Sequence, residues 1–291
     1  MARDYKTLKK SGFIPQKQKD YFALRIRVVG GHLTTEQLMV ITKAAQKYGA
    51  GHVHLTSRQS VEIPFVHADD IDQIKADLAV GGVEPSVCGP GVRTVTACQG
   101  NAICASGCAP TLELARELDS RYYGRELPHK FKIGITGCLN NCLKAEENDL
   151  GFKGAMKVKW IPQKCVFCGA CKRACRSNAI KITDKQLSVD YRKCKSCGRC
   201  AKSCPTKAWD TKSGYMLSFG GLFGNTISKG KNILPVITDH DTLLRVSDAA
   251  IDFFETHANP SERFKFAIDR IDWDIFEKII KDANHGESAK V

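Results

Sequence analysis

Eight cysteines in the middle of the chain follow one spacing twice. The first run is Cys165, Cys168, Cys171 and Cys175, and the second is Cys194, Cys197, Cys200 and Cys204. Thiolates at such short spacing are ligands for soft metals or iron–sulfur clusters. The chain has 14 cysteines among 291 residues, and its basic, polar N-terminus lacks the apolar core of a secretory signal. We therefore expect metal ligands in a reducing cytoplasm rather than disulfides.

The doubled run resembles that of bacterial two-cluster ferredoxins. This resemblance implies two [4Fe-4S] clusters with crossed ligation between the repeats. One cluster would be held by Cys165, Cys168, Cys171 and Cys204, and the other by Cys194, Cys197, Cys200 and Cys175. Zinc is the alternative, but no histidine stands in this spacing, and eight cysteines match two clusters far better.

Four further cysteines form two pairs upstream of the repeat. They are Cys98 with Cys104, and Cys138 with Cys142. By themselves these thiolates suit an iron–sulfur cluster, a zinc site or a buried core. Cys88 and Cys108 are left over. We interpret both as buried thiols, although Cys108 could replace Cys104 as a ligand.

A basic strand over residues 130–135 precedes the second pair, and its alternation puts Lys130 and Lys132 on one face and Phe131 and Ile133 on the other. Together with the two pairs it resembles the sirohaem/[4Fe-4S] half of sulfite and nitrite reductases, over most of residues 15–280. The resemblance implies that Cys98, Cys104, Cys138 and Cys142 hold one cluster. Cys142 would also bridge to the sirohaem (siroheme) iron, and Asn140 would support the macrocycle.

The N-terminal region has the pattern of an α+β unit. After a basic lead-in over residues 1–20, interpreted as a surface arm, alternation predicts a strand over Tyr21–Val29. A helix follows that Thr34 or Thr35 caps and that runs to Tyr48, where Gly49 ends it. Two short strands (52–56 and 60–66) and a helix over 68–80 come next. This order is most of a ferredoxin-like fold. It resembles the half-domain that precedes the sirohaem domain in the same reductases.

Four cations are candidates for a substrate pocket. They are Arg58, in a Thr–x–Arg–Gln turn, Arg93, Lys130 and Lys132. Each alone would more often be a solvated surface residue, but all four match positions that the resemblance assigns to the substrate side of the sirohaem. Arginine offers a fixed charged fork for an oxyanion, and lysine a proton that desolvation can release. We expect the arginines, Arg58 and Arg93, to bind the substrate and the cofactor edge, and the lysines to relay protons.

The fold class predicted is α+β, with a ferredoxin-like half-domain, a sirohaem-binding α/β domain and an inserted bacterial-type 2[4Fe-4S] ferredoxin module. The expected segments are 1–82 (arm and half-domain), 83–158 (sirohaem domain, first part), 159–213 (module) and 214–291 (return segment and C-terminal helices). A strand near Tyr215–Phe219 and helices near 242–257 and 273–282 would complete the sirohaem domain; an independent helical cap is the alternative.

The positive charge of the chain is confined to one segment. Residues 151–214 contain 16 of the 44 Lys and Arg residues and only three of the 31 acids, so this segment accounts for the whole net charge of +13. No basic stretch is interleaved with aromatic residues, which argues against nucleic-acid binding. No run approaches the roughly 18 apolar residues of a membrane helix. A basic module suggests an acidic electron donor, such as a ferredoxin or flavodoxin.

The sequence thus favours a sirohaem-dependent sulfite reductase with three [4Fe-4S] clusters, similar to anaerobic sulfite reductases and to small dissimilatory sulfite reductase-like proteins. Sirohaem nitrite reductase is the first alternative; in nitrite-reducing relatives the position of Lys132 is often asparagine. A non-catalytic electron-transfer subunit is the second. Complete reductases of this kind carry two copies of the half-domain and sirohaem unit. We therefore expect a homodimer, or a heteromer with a diverged or flavin-bearing partner.

Overall fold

An antiparallel four-stranded sheet covered by two helices forms the N-terminal part of the computed structural model, which describes residues 4–286. The elements are α1 (Tyr5–Lys10), β1 (Phe13–Pro15), β2 (Tyr21–Arg25), α2 (Thr35–Tyr48), β3 (His54–Leu55), β4 (Val61–His67) and α3 (Ile71–Val80). The strand order is β1-β2-β4-β3. Thr34 and Gln37 form a reciprocal capping box that starts α2 where the sequence predicts. One apolar core, which includes Phe22, Ile41 and Ile74, joins sheet and helices.

Two N-terminal expectations are corrected. Within the predicted surface arm, α1 does lie on the surface without a buried residue, but it packs on β1, and Phe13 is fully buried against Phe22, so residues 4–20 are part of the half-domain. Residues 1–3 and 287–291, which the first and last predicted segments include, lie outside the described range. The strand predicted over Tyr21–Val29 ends at Arg25, because the chain turns at Gly30 and Gly31, which both have positive φ.

A second four-stranded sheet, mostly parallel, forms the centre of the molecule. Its region contains β5 (Gly91–Val92), β6 (Thr96–Ala97), α4 (Gly100–Ile103), α5 (Leu112–Tyr122), β7 (Lys130–Phe131), β8 (Ile133–Thr136) and β9 (Leu150–Trp160). Strands β6, β8 and β9 run parallel. The basic strand predicted over 130–135 is divided: β7 pairs with β5, whereas β8 enters the central sheet.

The repeated cysteine segment leaves and rejoins this sheet at one point. It contains α6 (Ala170–Ala174), β10 (Ile180–Thr183), β11 (Gln186–Val189) and α7 (Arg199–Lys202), and it leads into β12 (Trp209–Phe219). Strand β12 is antiparallel to β9 along its whole length, with Trp209 opposite Trp160. Residues 161–208 therefore project from the tip of a long hairpin; we refer to them as the module.

The two halves of the module have the same backbone path. Phe167, Gly169 and Asn178 have positive φ, and so do Ser196, Gly198 and Lys207 at the corresponding positions of the second run. In both halves the left-handed glycine precedes a short helix, α6 or α7. The sequence repeat is thus a structural repeat.

The C-terminal segment packs on the central sheet. Its elements are β13 (Leu222–Phe223), β14 (Ile227–Ser228), α8 (His240–His257), α9 (Phe264–Ile271) and α10 (Trp273–His285). Phe254, Phe264 and Phe276 share one core with Phe131 and Phe219, so these helices are not an independent cap. No helix in residues 4–286 has the length and apolarity to cross a membrane.

Candidate functional site

Five cationic side chains line one cavity of ≈ 220 Å³ between the half-domain and the central sheet. They are Arg25, Arg58, Arg93, Lys130 and Lys132. The remaining lining residues are uncharged, mostly serine and threonine. All four cations expected from the sequence are thus brought together. A small concave site with this much positive charge and several hydroxyl groups is suited to an anion that carries oxygen atoms.

Arg58 is held rigidly at the centre of this cavity. Its Nη1 donates to Oδ1 of Asn148 (2.9 Å), and its Nη2 donates to the carbonyl of Thr94 (3.0 Å). Burial, followed by the neighbouring arginines, lowers the pKa of Arg58 to about 10. The adjacent Gln59 exchanges two hydrogen bonds with the backbone of Ala97, at 2.9 and 3.0 Å. These two bonds attach the turn that carries Arg58 to Ala97, the residue that precedes Cys98.

Lys130 and Lys132 reach the cavity because their strand alternates. Phe131 and Ile133 are fully buried, and the lysines face the opposite side and are partly exposed. Burial lowers the pKa of both lysines. For Lys132 the pKa falls to about 8, with Arg58 and Arg263 as further causes. The pKa of Lys132 is therefore close to the value that suits proton transfer near neutral pH.

Arg93 and Arg25 complete the ring of cations from two other directions. Arg93 donates from Nη1 to the carbonyl of Val87 (3.1 Å), whereas its buried Nε has no protein partner. Arg25, which the sequence interpretation missed, donates from Nε to Glu62 at 2.9 Å. The sequence could have indicated Arg25 by its position on the polar face of β2, because this face contacts the central domain instead of solvent.

A buried ion pair between Asp149 and Arg263 supports the backbone of Lys132. Asp149 is fully buried and accepts from Nη2 of Arg263 (3.0 Å) and from the backbone N–H of Lys132 (2.8 Å). Burial raises the pKa of Asp149, and Arg263 opposes that effect. Neither residue was predicted, because Arg263 comes from α9's N-terminus, far away in the chain.

A second cavity adjoins the first and contains one predicted ligand. Its volume is ≈ 320 Å³, and it shares Ser57, Arg58 and Lys132 with the cationic cavity. Cys142 and Lys144 also line it. The thiol of Cys142 and the ring of cations thus line two neighbouring cavities that share three residues. Asn140 and Cys138 line a different and larger cleft, next to the module.

The loops of the two cysteine pairs are adjacent because they follow neighbouring parallel strands. Cys98 follows β6 and Cys138 follows β8, and the N–H of Gly137 donates to Sγ of Cys98 at 3.1 Å. A Cβ on Gly137 would lie 2.7 Å from Cα of Gly100, so close approach of the loops requires glycine there. Cys104 and Cys142 are exposed.

The module groups its cysteines across the repeats. Cys165, Cys168 and Cys171 of the first run line one small cavity with Cys204 of the second. Cys200 is buried near Cys194 and Cys197. The N–H of Ala179 donates to Sγ of Cys175 (3.3 Å), and that of Ala208 donates to Sγ of Cys204 (3.2 Å). The two crossing cysteines therefore occupy equivalent positions.

Within residues 4–286 no three His, Cys, Asp or Glu side chains converge closely enough to hold a single metal ion. Thiolates around a four-iron cluster bind different iron atoms and need no such convergence. The two remaining cysteines, Cys88 and Cys108, are buried, each 2% exposed.

Two family models cover most of the chain. The nitrite and sulphite reductase 4Fe-4S domain matches residues 88–286, and the nitrite/sulfite reductase ferredoxin-like half domain matches residues 14–80. Both matches agree with the two sheets and with the position of the cavity between them. The chain belongs to the nitrite and sulfite reductase family of oxidoreductases.

Its curated relatives include both kinds of reductase. The chain is 33% identical over 171 residues to one subunit of the anaerobic sulfite reductase of Salmonella typhimurium, an alignment that covers 54% of this chain and 50% of that protein. It is 31% identical over 258 residues to the coenzyme F420-dependent sulfite reductase of Methanocaldococcus jannaschii, covering 88% and 41%. The large subunit of Escherichia coli nitrite reductase (NADH) is 30% identical over 141 residues, covering 48% and 16%. The chain spans half or less of these three relatives.

Solved structures show the same fold. The crystal structure of dissimilatory sulfite reductase I has a TM-score of 0.73 at 17% identity, covering 92% of this chain and 70% of that one. The Mycobacterium tuberculosis NirA protein has a TM-score of 0.64 at 17% identity, covering 92% and 41%. The family implies sirohaem and a [4Fe-4S] cluster. The donor set fits both, since the four thiolates lie on two adjacent loops and one of them, Cys142, lines the cavity next to the cationic one.

Proposed function

We propose that this protein is a sulfite reductase that uses sirohaem to reduce sulfite to sulfide, a six-electron reaction. The observation that carries the proposal is the junction of the two cavities. Five cations surround one, Cys142 lines the other, and Arg58 and Lys132 belong to both. An oxyanion bound among the cations would therefore lie next to the centre that delivers electrons.

Twelve cysteines would hold three [4Fe-4S] clusters. Cys98, Cys104, Cys138 and Cys142 would hold the catalytic one, and Cys142 and Asn140 would also help to hold sirohaem. Each half of the module would supply three ligands to one cluster and one to the other. When bound, sirohaem offers an iron that takes the sulfur atom of sulfite and passes electrons to it.

The side chains of the cavity have separate roles in this proposal. Arg58 and Arg93 keep their charge at any physiological pH and bind the sulfite oxygens. Lys130 and Lys132 donate protons to the oxygen atoms that leave as water, and the lowered pKa of Lys132 makes its proton easier to transfer. Asp149 and Arg263 hold the Lys132 backbone in place.

Electrons would reach the catalytic site through the module. Its excess of Lys and Arg suits an acidic donor, such as a ferredoxin, a flavodoxin or a flavin-bearing subunit. The thiolate ligands favour a reducing compartment, the cytoplasm. We also propose that the chain pairs with a second copy of itself or with a related chain, so that two half-domain and sirohaem units come together.

Nitrite reduction to ammonia is the second candidate, supported by the alignment with the Escherichia coli nitrite reductase large subunit. Protein purified without oxygen would be examined by absorption spectroscopy, and then supplied with reduced methyl viologen and either anion. Sirohaem bands with faster release of sulfide than of ammonia support the proposal. Faster ammonia release makes the protein a nitrite reductase. Iron–sulfur absorption without sirohaem bands or turnover would leave an electron-transfer subunit.

A further inference from the structure

The module touches the catalytic cysteine loops through Cys108. The Sγ of Cys108 donates to the carbonyl of Cys197 (3.4 Å), and its N–H donates to the carbonyl of Gly137 (2.6 Å). Gly137 in turn precedes Cys138 and donates to Sγ of Cys98. A continuous chain of bonds therefore joins a predicted ligand of the module to two predicted ligands of the catalytic cluster.

Two further contacts bind the same half of the module to the same region. Nζ of Lys202, from α7, donates to the carbonyls of Ala105 (2.9 Å) and Gly107 (2.5 Å), between Cys104 and Cys108. The N–H of Met156, in β9, donates to the carbonyl of Ser196 (2.7 Å). Cys108, Lys202 and Met156 thus all connect residues 196–202 of the second repeat to the catalytic domain.

The first repeat presents a different environment. Cys168 is exposed, and the neighbouring Val166 is 63% exposed. The two repeats therefore differ: the second is hydrogen-bonded to the catalytic loops, whereas the first exposes Cys168 to solvent and faces those loops across a cleft that Arg173 and Arg176 line.

Resting on the function proposed above, we propose that Cys108 and Lys202 are positioning residues that hold the Cys194–Cys197–Cys200 site against the catalytic cysteine loops. This site, completed by Cys175, delivers electrons to the catalytic site, and the site of the first repeat receives them from the donor protein. Each transfer moves one electron from a reduced cluster to an oxidised one, with no bond made or broken and no proton moved.

The physical reason is the steep fall of electron transfer with distance. Neither positioning residue belongs to the proposed ligand set, so its loss should leave the clusters bound but loosen the loop that carries Cys197. Interactions that orient ligands from outside the ligand set typically change activity by about 10–100-fold when removed.

The test uses the full holoprotein with Cys108→Ala and Lys202→Met, singly and combined. Lys202 is exposed, so Lys202→Met does not disturb a core. Cys108→Ser keeps a donor and serves as the rescue variant. Lys181→Met makes the same charge change at an exposed position of β10 and is the control. Iron and acid-labile sulfide content, electron paramagnetic resonance and stopped-flow absorption are measured for each.

We expect full iron content in every variant. In Cys108→Ala and Lys202→Met the magnetic interaction between the catalytic cluster and its neighbour weakens, and reduction of the catalytic site by methyl viologen slows about 10-fold. The KM for sulfite stays unchanged. Cys108→Ser restores the rate and Lys181→Met retains it. An unchanged interaction and rate in the combined variant would overturn the inference, whereas a wild-type protein without sirohaem or clusters would overturn the proposed function instead.

Discussion

Nη1 of Arg58 lies 2.9 Å from Oδ1 of Asn148, and this hydrogen bond joins the turn of the half-domain to the start of β9 in the central sheet. Asn148 is buried, and its Nδ2 donates back to the carbonyl of Lys144 (3.2 Å). The orientation of a half-domain cation is therefore set by a residue that lies just before β9, a strand of the other sheet.

Asn148→Ala is expected to lower kcat/KM for sulfite about 10–100-fold. The variant removes a hydrogen bond to a charged group, which contributes about 1.5–3 kcal/mol, and leaves Arg58 free to turn from the substrate. Steady-state kinetics with reduced methyl viologen measure the effect. Gln46→Ala, on the exposed face of α2, is the control. Equal kinetics of both variants would show that Asn148 does not position Arg58.

Lys130→Ala and Lys132→Ala are expected to reduce kcat by about 100-fold or more, the size of effect associated with a lost proton donor. The sirohaem absorption bands should remain, because neither lysine is a proposed ligand. Lys212→Ala, at an exposed position of β12, controls for the loss of one lysine. Near-normal turnover in either variant would remove that lysine from the proposed mechanism.

The pH profile should report the titration of Lys132. Burial lowers its pKa to about 8, so the ammonium group is present below that pH and is lost above it. kcat/KM, which reflects the free enzyme, should therefore fall as pH rises through about 8. Arginine stays charged, so Lys132→Arg should move this fall to higher pH, whatever its absolute rate. An identical profile in Lys132→Arg would assign the titration to another group.

Gly137→Ala should remove the catalytic cluster and spare the module. The added Cβ would lie 2.7 Å from Cα of Gly100 and would force the two cysteine loops apart. Iron analysis should show a loss of about four of the roughly twelve iron atoms expected for three cubane clusters, together with the loss of sirohaem. Gly224→Ala, whose Cβ would have no neighbour within 4 Å, should keep both. Full iron content in Gly137→Ala would contradict the proposed ligand set.

Turnover with an acidic protein donor should fall as salt is added. The module carries most of the excess positive charge, and attraction between exposed charges is screened within about 10 Å at 0.1 M salt. Association rates are compared between about 0.05 and 0.5 M salt, with methyl viologen as the donor that needs no docking. Equal salt sensitivity with both donors would exclude electrostatic docking.

Local sequence patterns were sufficient to predict those elements that depend on residues close together in the chain. The helix α2 begins after Thr34 and ends before Gly49, as its capping residues predict. The alternation of Lys130 to Ile133 correctly separates cavity from core. The cysteine repeat is reproduced as a backbone repeat, because its left-handed positions recur with the cysteines.

The missed features depend on contacts between distant segments. Strand β9 was not predicted, since its lysines interrupt the apolar pattern, and pairing with β8 and β12 decides its structure. Helix α9 was missed between two predicted helices; Phe264 is buried against Phe131, which no local pattern reveals. Arg25, Asn148, Asp149 and Arg263 were missed as site residues for the same reason.

The pairing of Trp160 with Trp209 also shows where the module could be replaced by another electron carrier. Both crossings between the module and the central sheet occur at these directly opposed residues. A different carrier, or a short turn, could therefore replace residues 161–208 without a shift in the register of the strands beneath. The register of the central strands is thus independent of what the hairpin carries, whereas any replacement would need its own contacts with Ala105, Gly107 and Cys108 to deliver electrons.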